Sequence, residues 1–171
     1  MHSPGEWRPG HYENGAQCFY IYKSDYQKKE SVTAGRPLIV SNIPDTLHIH
    51  PFASTIGLRI DERSPERSVC SIEVTPDIHH NPHRVTHGAV LYALADTGMG
   101  MVLYPTLNKG ESCVTIEIKI NYFRPAPAGI IRCETVILNR GRTIANLESR
   151  LYLADRLIAQ ANGNFAILQP R

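Results

Sequence analysis

Residues 87–103 read HGAVLYALADTGMGMVL, and this stretch decides the fold. As a helix it is apolar almost all round, so it is a buried helix and not an amphipathic surface one. Thr86 is in place to act as its N-cap, and Pro105 ends it. Gly98 and Gly100 each weaken it by roughly 1 kcal/mol relative to Ala, which implies close approach of another backbone as compensation. Four strand candidates follow. Val114, Ile116, Ile118, Ile120 and Tyr122 fall on one face, with Thr115, Glu117, Lys119 and Asn121 on the other, the cleanest period-2 pattern in the chain. Ile130–Leu138 and Thr143–Leu153 are joined by residues 139–142, a hairpin turn with Gly141 available for positive φ. Asp155–Arg156 then turns into Leu157–Leu168. Upstream, Thr55–Glu62 and Ser68–Thr75 also alternate as strands do. One buried helix among long antiparallel strands predicts an α+β domain, a curved antiparallel sheet wrapped around a long central helix.

The 171 residues suit one domain with an appendage. Residues 51–171 carry the patterned elements; residues 1–50 form an extension punctuated by Pro and Gly. That extension has too little apolar material for its own core and is expected to drape over the rest; its aromatic run Cys18–Tyr22 suits a short strand or helix. Hydrophobic residues make up 42% and charged residues 20%, ordinary for a soluble globular protein. A formal net charge of +2 is too weak to suggest a nucleic-acid partner. The four cysteines, at 18, 70, 113 and 133, show no C-x-x-C spacing, and a reducing compartment is the simplest reading. The first seven residues lack a secretory pattern, and no apolar stretch is long enough to span a bilayer. A cytoplasmic protein that does not engage membranes is the expectation.

Asp96 is the residue that demands explanation. It sits mid-helix among Ala93, Leu94, Ala95, Met99 and Val102, where a carboxylate is costly unless paired. It is either a satisfied polar group that fixes helix packing or a functional carboxylate. The start of the same helix bears on the choice. Gly88 lies at or near the first turn, where unpaired backbone N–H groups and the helix dipole offer an oxyanion site, and its missing side chain lets a substrate carbonyl approach. Gly88 and Asp96 are eight residues apart, roughly 12 Å along a helix axis. One carbonyl cannot touch both ends. If both act in one reaction, two copies of the helix must lie antiparallel, with Gly98 and Gly100 permitting the proximity, and the site is shared across a two-fold dimer.

The ordered set of motifs carries a resemblance. Asn81–Pro82–His83–Arg84–Val85–Thr86–His87–Gly88–Ala89 followed by Ala95–Asp96 resembles the signature of hotdog-fold acyl-CoA thioesterases, and more closely their phenylacetate-pathway-type branch. Pro51–Phe52–Ala53, Ile56–Gly57–Leu58 and Tyr122–Phe123–Arg124–Pro125–Ala126 match further segments of that branch, so the similarity covers about residues 50–168. Ala89 departs from the second Gly common there. The resemblance implies a hotdog fold and hydrolysis of an acyl or aryl-acyl CoA thioester to acid and CoA, with no metal or other cofactor. It implies a homodimer or a dimer of dimers. Asp96 matches the catalytic carboxylate, as general base or nucleophile. Gly88 matches the oxyanion amide, Asn81 the residue orienting the water or the thioester, and His87 the histidine beside the oxyanion donor. Thr115 falls where a Ser or Thr often holds the water.

Local roles compete with these. His87 can simply brace the helix start, and Thr115 can be an ordinary strand residue. His48 and His50, and the cluster His79, His80 and His83, lack acidic or Cys partners at ligand spacing, so no metal site is expected. Arg124, Arg140 and Arg142, with Arg132 nearby, are candidates for CoA phosphates, against the alternative of solvated turn charges. A non-catalytic acyl-CoA-binding module is the other reading of function, but such a sensor needs neither Asn81 nor Asp96. A hydratase of the same fold suits the Gly88-to-Asp96 spacing less well.

Overall fold

The computed structural model describes residues 10–11, 17–18 and 51–169. In the N-terminal zone two short strands, β1 (Gly10–His11) and β2 (Gln17–Cys18), pair antiparallel. The expected draping of residues 1–50, the rest of the aromatic run, and His48 and His50 lie outside the described residues.

From residue 51 the order is α1 (Pro51–Thr55), β3 (Leu58–Arg63), β4 (Arg67–Glu73), α2 (Pro76–His79), α3 (Gly88–Leu103), β5 (Ser112–Tyr122), β6 (Ile130–Arg140), β7 (Ile144–Leu153) and β8 (Arg156–Leu168). The last six strands form one antiparallel sheet in the order β3-β4-β6-β7-β8-β5. It curves around α3, as the buried, all-round apolar helix requires. Leu94, Met99, Val102 and Leu103 are fully buried, as are Ile72, Ile131, Leu147 and Leu151 of the sheet.

The hydroxyls of Ser68, Thr135 and Ser149, buried beneath the helix, are paired, as burial demands. Ser68 Oγ donates to the Gly98 carbonyl at 2.7 Å. Ser149 Oγ shares a 2.7 Å hydrogen bond with Thr135 and reaches the Ala95 carbonyl at 3.4 Å. Gly98 is therefore explained differently from the expectation: a Cβ there would lie 2.5 Å from Thr135 Oγ1. The glycine lets the helix approach its own sheet, not a neighbouring helix. Gly100 has open space beside it, with Tyr104 the nearest group at 4.0 Å.

Several boundaries differ from the sequence reading. Thr55 belongs to α1, and the strand begins only at Leu58, after Gly57 turns the chain at φ 66°. The cap of α3 is His87 and not Thr86. Pro105 does not simply stop the helix; it lies in a 3-10 turn, Tyr104–Thr106, that extends it. Gly141 does not adopt positive φ. Its need is spatial, because a Cβ would lie 2.8 Å from the Ile144 carbonyl. The tight turn before β8 places Ala154 at φ 52°, a region non-glycine residues seldom occupy.

The largest departure is in β5. Its pairing with β8 shifts register between Thr115 and Glu117, a β-bulge. Before the bulge the odd positions share the helix side; after it Ile118 and Ile120 do, and both are partly buried against the core. Val114 and Ile116 are left 46% and 55% exposed. The single apolar face expected over residues 114–122 is thus broken in two.

The hairpin end of the sheet is locked to the loop after α3. Glu111 accepts the Asn108 N–H at 2.8 Å and the Gln169 amide at 3.0 Å, and faces Arg140 at 3.1 Å. These hydrogen bonds, the Asn108 backbone bond first, with the Arg140 charge added, hold the Glu111 carboxyl down at about 2. A carboxyl depressed on folding stabilises fully above its unfolded value and loses that contribution as pH falls through its folded one. The stability difference between wild type and Glu111→Gln is expected to be largest above about pH 5 and to shrink toward pH 2, read by urea unfolding across pH. A difference independent of pH would refute this assignment.

Candidate active site

Two clusters form at opposite ends of one stretch of helix. The first surrounds the start of α3. Asn81 opens a tight loop in which its N–H donates to the Val85 carbonyl at 2.9 Å, and Arg84 turns the chain at φ 58°. Asn81 Oδ1 accepts the N–H groups of His83 at 2.9 Å and Val85 at 3.4 Å. The amide oxygen is thereby committed to the loop, and its NH2 group is left to donate outward. A bridge between His80 and Thr86 closes the loop, and the His87 N–H donates to the His79 carbonyl at 2.8 Å.

His79 is the buried anchor of this arrangement. Its Nδ1 accepts from the Thr75 N–H at 2.7 Å, and its Nε2 meets the Ile56 carbonyl at 2.9 Å. An acceptor on one nitrogen and a carbonyl on the other fix the neutral tautomer with the proton on Nε2. His80 reaches the Pro127 carbonyl at 2.7 Å. His79 and His80 therefore have hydrogen-bonding roles in the loop.

At the helix start the free amides are allotted one by one. Ala89 N–H donates to His87 Nδ1 at 3.0 Å and Val90 N–H to the His87 carbonyl at 2.9 Å. Gly88 N–H has no acceptor among the described residues, and Gly88 is half-buried. It is an unpaired donor at the positive end of a 16-residue helix, where partial positive charge concentrates. The space beside the Gly88 Cα is not open to a ligand as expected. The ring of Tyr122 fills it, 3.2 Å from where a Cβ would stand.

The second cluster lies two turns along α3. Asp96 is half-buried, and its Oδ1 accepts a 2.7 Å hydrogen bond from Thr115 Oγ1. The bulge in β5 makes this contact possible, since it leaves Thr115 on the helix side of the strand. Asp96 and Thr115 line a cleft of about 170 Å³ with Gly100, Met101, Tyr104 and Phe165. Cys113, on the same wall, has its thiol pushed up first by burial and then by the Asp96 charge. Cys133 is pushed up to about 11, chiefly by burial. Cys70, Cys113 and Cys133 are free thiols, and these environments leave them poorly nucleophilic.

The sequence-derived residues thus fall into two groups, Asn81, His87 and Gly88 in one and Asp96 and Thr115 in the other. Helix rise separates Gly88 from Asp96 by ~12 Å. The arginines lie apart. Arg140 is turned inward: its guanidinium donates to the carbonyls of Gly141 and Thr106 and to Glu111. Arg124 is exposed and donates to the Leu157 carbonyl at 2.7 Å. Arg142 is exposed on the hairpin turn. Sequence reasoning misses Tyr122, which it assigns to a strand face and a motif but not to the site, and Tyr104 and Phe165 in the cleft. The available sign for Tyr122 is a hydroxyl at the end of an otherwise aliphatic strand face.

Residues 83–159 match the model of the thioesterase superfamily. A candidate esterase of Pseudomonas aeruginosa is 27% identical over 111 residues, 64% of this chain and 72% of that one. A conserved P. aeruginosa protein of known structure is 27% identical with a TM-score of 0.67, covering 72% of this chain and 98% of that one. A variant of the phenylacetic acid degradation protein PaaI from Thermus thermophilus superposes with a TM-score of 0.64 at 28% identity, covering 70% of this chain and 100% of that one.

Proposed function

We propose that this chain, a hotdog-fold protein whose residues 83–159 match the thioesterase superfamily, hydrolyses acyl thioesters of coenzyme A. The observation that carries the reading is the pair of half-sites on one helix: an unpaired Gly88 amide at its start and an Asp96 carboxylate, held by Thr115, two turns on.

The half-sites combine when two copies of the chain set their α3 helices antiparallel. Gly88, His87 and Asn81 of one copy then face Asp96 and Thr115 of the other. Thr115 engages Oδ1 of Asp96 and leaves Oδ2 to take a proton from water. The water oxygen attacks the thioester carbonyl carbon. The carbonyl oxygen becomes an oxyanion, met by the Gly88 N–H and the helix dipole. Asn81, with only its NH2 group free, donates to the thioester or to the water oxygen. The C–S bond then breaks, the CoA sulfur takes up the proton, and the free acid remains. Attack by Asp96 itself, through a mixed anhydride that water opens, uses the same groups.

The cleft beside Asp96 suits the acyl group. Met101, Tyr104 and Phe165 give the cleft apolar and aromatic walls beside the carboxylate, as an acyl group requires. Arg142 and Arg124 remain available for CoA phosphates, as Arg140 does not.

The test is thiol release from a panel of short, aryl and long acyl-CoAs. Turnover of at least one acyl or aryl-acyl CoA is expected, with Arg142→Ala raising KM for acyl-CoA but not for a thioester lacking the nucleotide. No thiol release from any acyl-CoA would overturn the reading.

A further inference from the structure

We infer that Tyr122 is a positioning residue for the Gly88 amide, and that residues 122–127 form the clamp that aims it. This rests on the thioesterase reading of the site. An oxyanion donor works only when its N–H points at the place where the oxygen charge develops. Glycine is the residue least able to hold that direction alone, because its φ and ψ are the least restricted.

The Val90 N–H bond to the His87 carbonyl holds the peptide that carries the Gly88 N–H, and Tyr122 adds a restraint on the glycine's own φ and ψ. Tyr122 Oη donates to the Gly88 carbonyl at 3.1 Å, and the ring lies flush against the Gly88 Cα, within 3.2 Å of a Cβ position. The same segment grips the preceding loop. The Ala126 carbonyl accepts from the Thr86 N–H at 2.9 Å and from Thr86 Oγ1 at 2.6 Å, and the Pro127 carbonyl meets His80 Nε2. Its other side is fastened to β8, where the Phe123 and Arg124 N–H groups donate to the Ile158 carbonyl at 2.8 and 3.2 Å. The clamp therefore ties the helix start and the loop before it to β8. Burial, with Tyr92 nearby, pushes the Tyr122 phenol up, so its hydroxyl stays a donor at neutral pH.

Tyr122 is 51% exposed, so losing its hydroxyl leaves the core intact. The experiment compares Tyr122→Phe with wild type and Asp96→Asn in the full chain. Expected for Tyr122→Phe is about a tenfold fall in kcat, less than loss of a whole oxyanion donor, with KM within about twofold and an unchanged Tm. The Gly88 amide resonance should shift, a readout that general destabilisation does not single out. A kcat within about twofold of wild type, or an unmoved Gly88 resonance, overturns the inference. A wild type that hydrolyses no thioester overturns the reading beneath it. An active, Asp96-dependent wild type with an unaffected Tyr122→Phe overturns the inference alone.

Discussion

Asp96→Asn is expected to lower kcat by two or more orders of magnitude while the protein keeps its fold. Asn matches Asp in shape and still offers an oxygen to Thr115 Oγ1, whose 2.7 Å bond is the packing contact Asp96 makes. What Asn lacks is the capacity to take a proton from water or to attack carbon. General-base catalysis contributes typically about 10²–10⁴-fold, and that is the expected loss. A role confined to packing predicts the reverse pattern, with Asp96→Asn nearly neutral in turnover. Asp96→Ala serves as the second variant, because it empties the contact to Thr115 as well. Circular dichroism and gel filtration establish that each variant is folded and assembled. Turnover near the wild-type value in the Asn variant would remove Asp96 from the mechanism.

Mixing two inactive variants should restore activity. The premise is the ~12 Å of helix between Gly88 and Asp96, set against the roughly 3 Å reach of an oxyanion donor. The structure adds that Asn81 belongs to the Gly88 end, through the His80–Thr86 bridge and the His87–His79 hydrogen bond. Under the shared-site reading, an Asn81-impaired subunit and an Asp96→Ala subunit form a heterodimer with one doubly damaged site and one intact site. Up to about half the wild-type activity per dimer should return on subunit exchange. Heterodimers verified by mass and as inactive as both parents would mean that Asn81 and Asp96 of one chain serve the same site.

The central helix and the curved sheet were legible because burial leaves a mark on composition. Residues 87–103 are apolar almost all round, and most of the helix is buried, although Ala89 and Tyr92 lie on an exposed face. The two candidate clusters drew attention for a related reason: a carboxylate among Ala95, Met99 and Val102 and a glycine at a helix start conflict with local preference. What the sequence hid was relational. A bulge leaves no local signature, so perfect alternation over residues 114–122 predicted one face where the pairing makes two. Thr86 and His87 are both able to cap, and the choice fell to His87 because Thr86 is drawn to the Ala126 carbonyl, 40 residues away. Arg140 looked like a surface charge because its partner Glu111 lies 29 residues upstream. Gly98 announces close packing, but its neighbour, Thr135, comes from a distant strand.

The hydroxyl groups of Ser68 and Ser149, set on either side of Asp96 along the helix, have a consequence for how such a protein can be regulated. They fasten the carbonyls of Gly98 and Ala95 to β4 and β7. One-turn ratchets and small axial shifts are a common allosteric repertoire of packed helices. Here an axial step breaks buried hydrogen bonds and carries Thr135 off the gap that Gly98 leaves for it. The helix is indexed like a gear tooth. A change at one end of this helix is therefore not passed to the other by sliding.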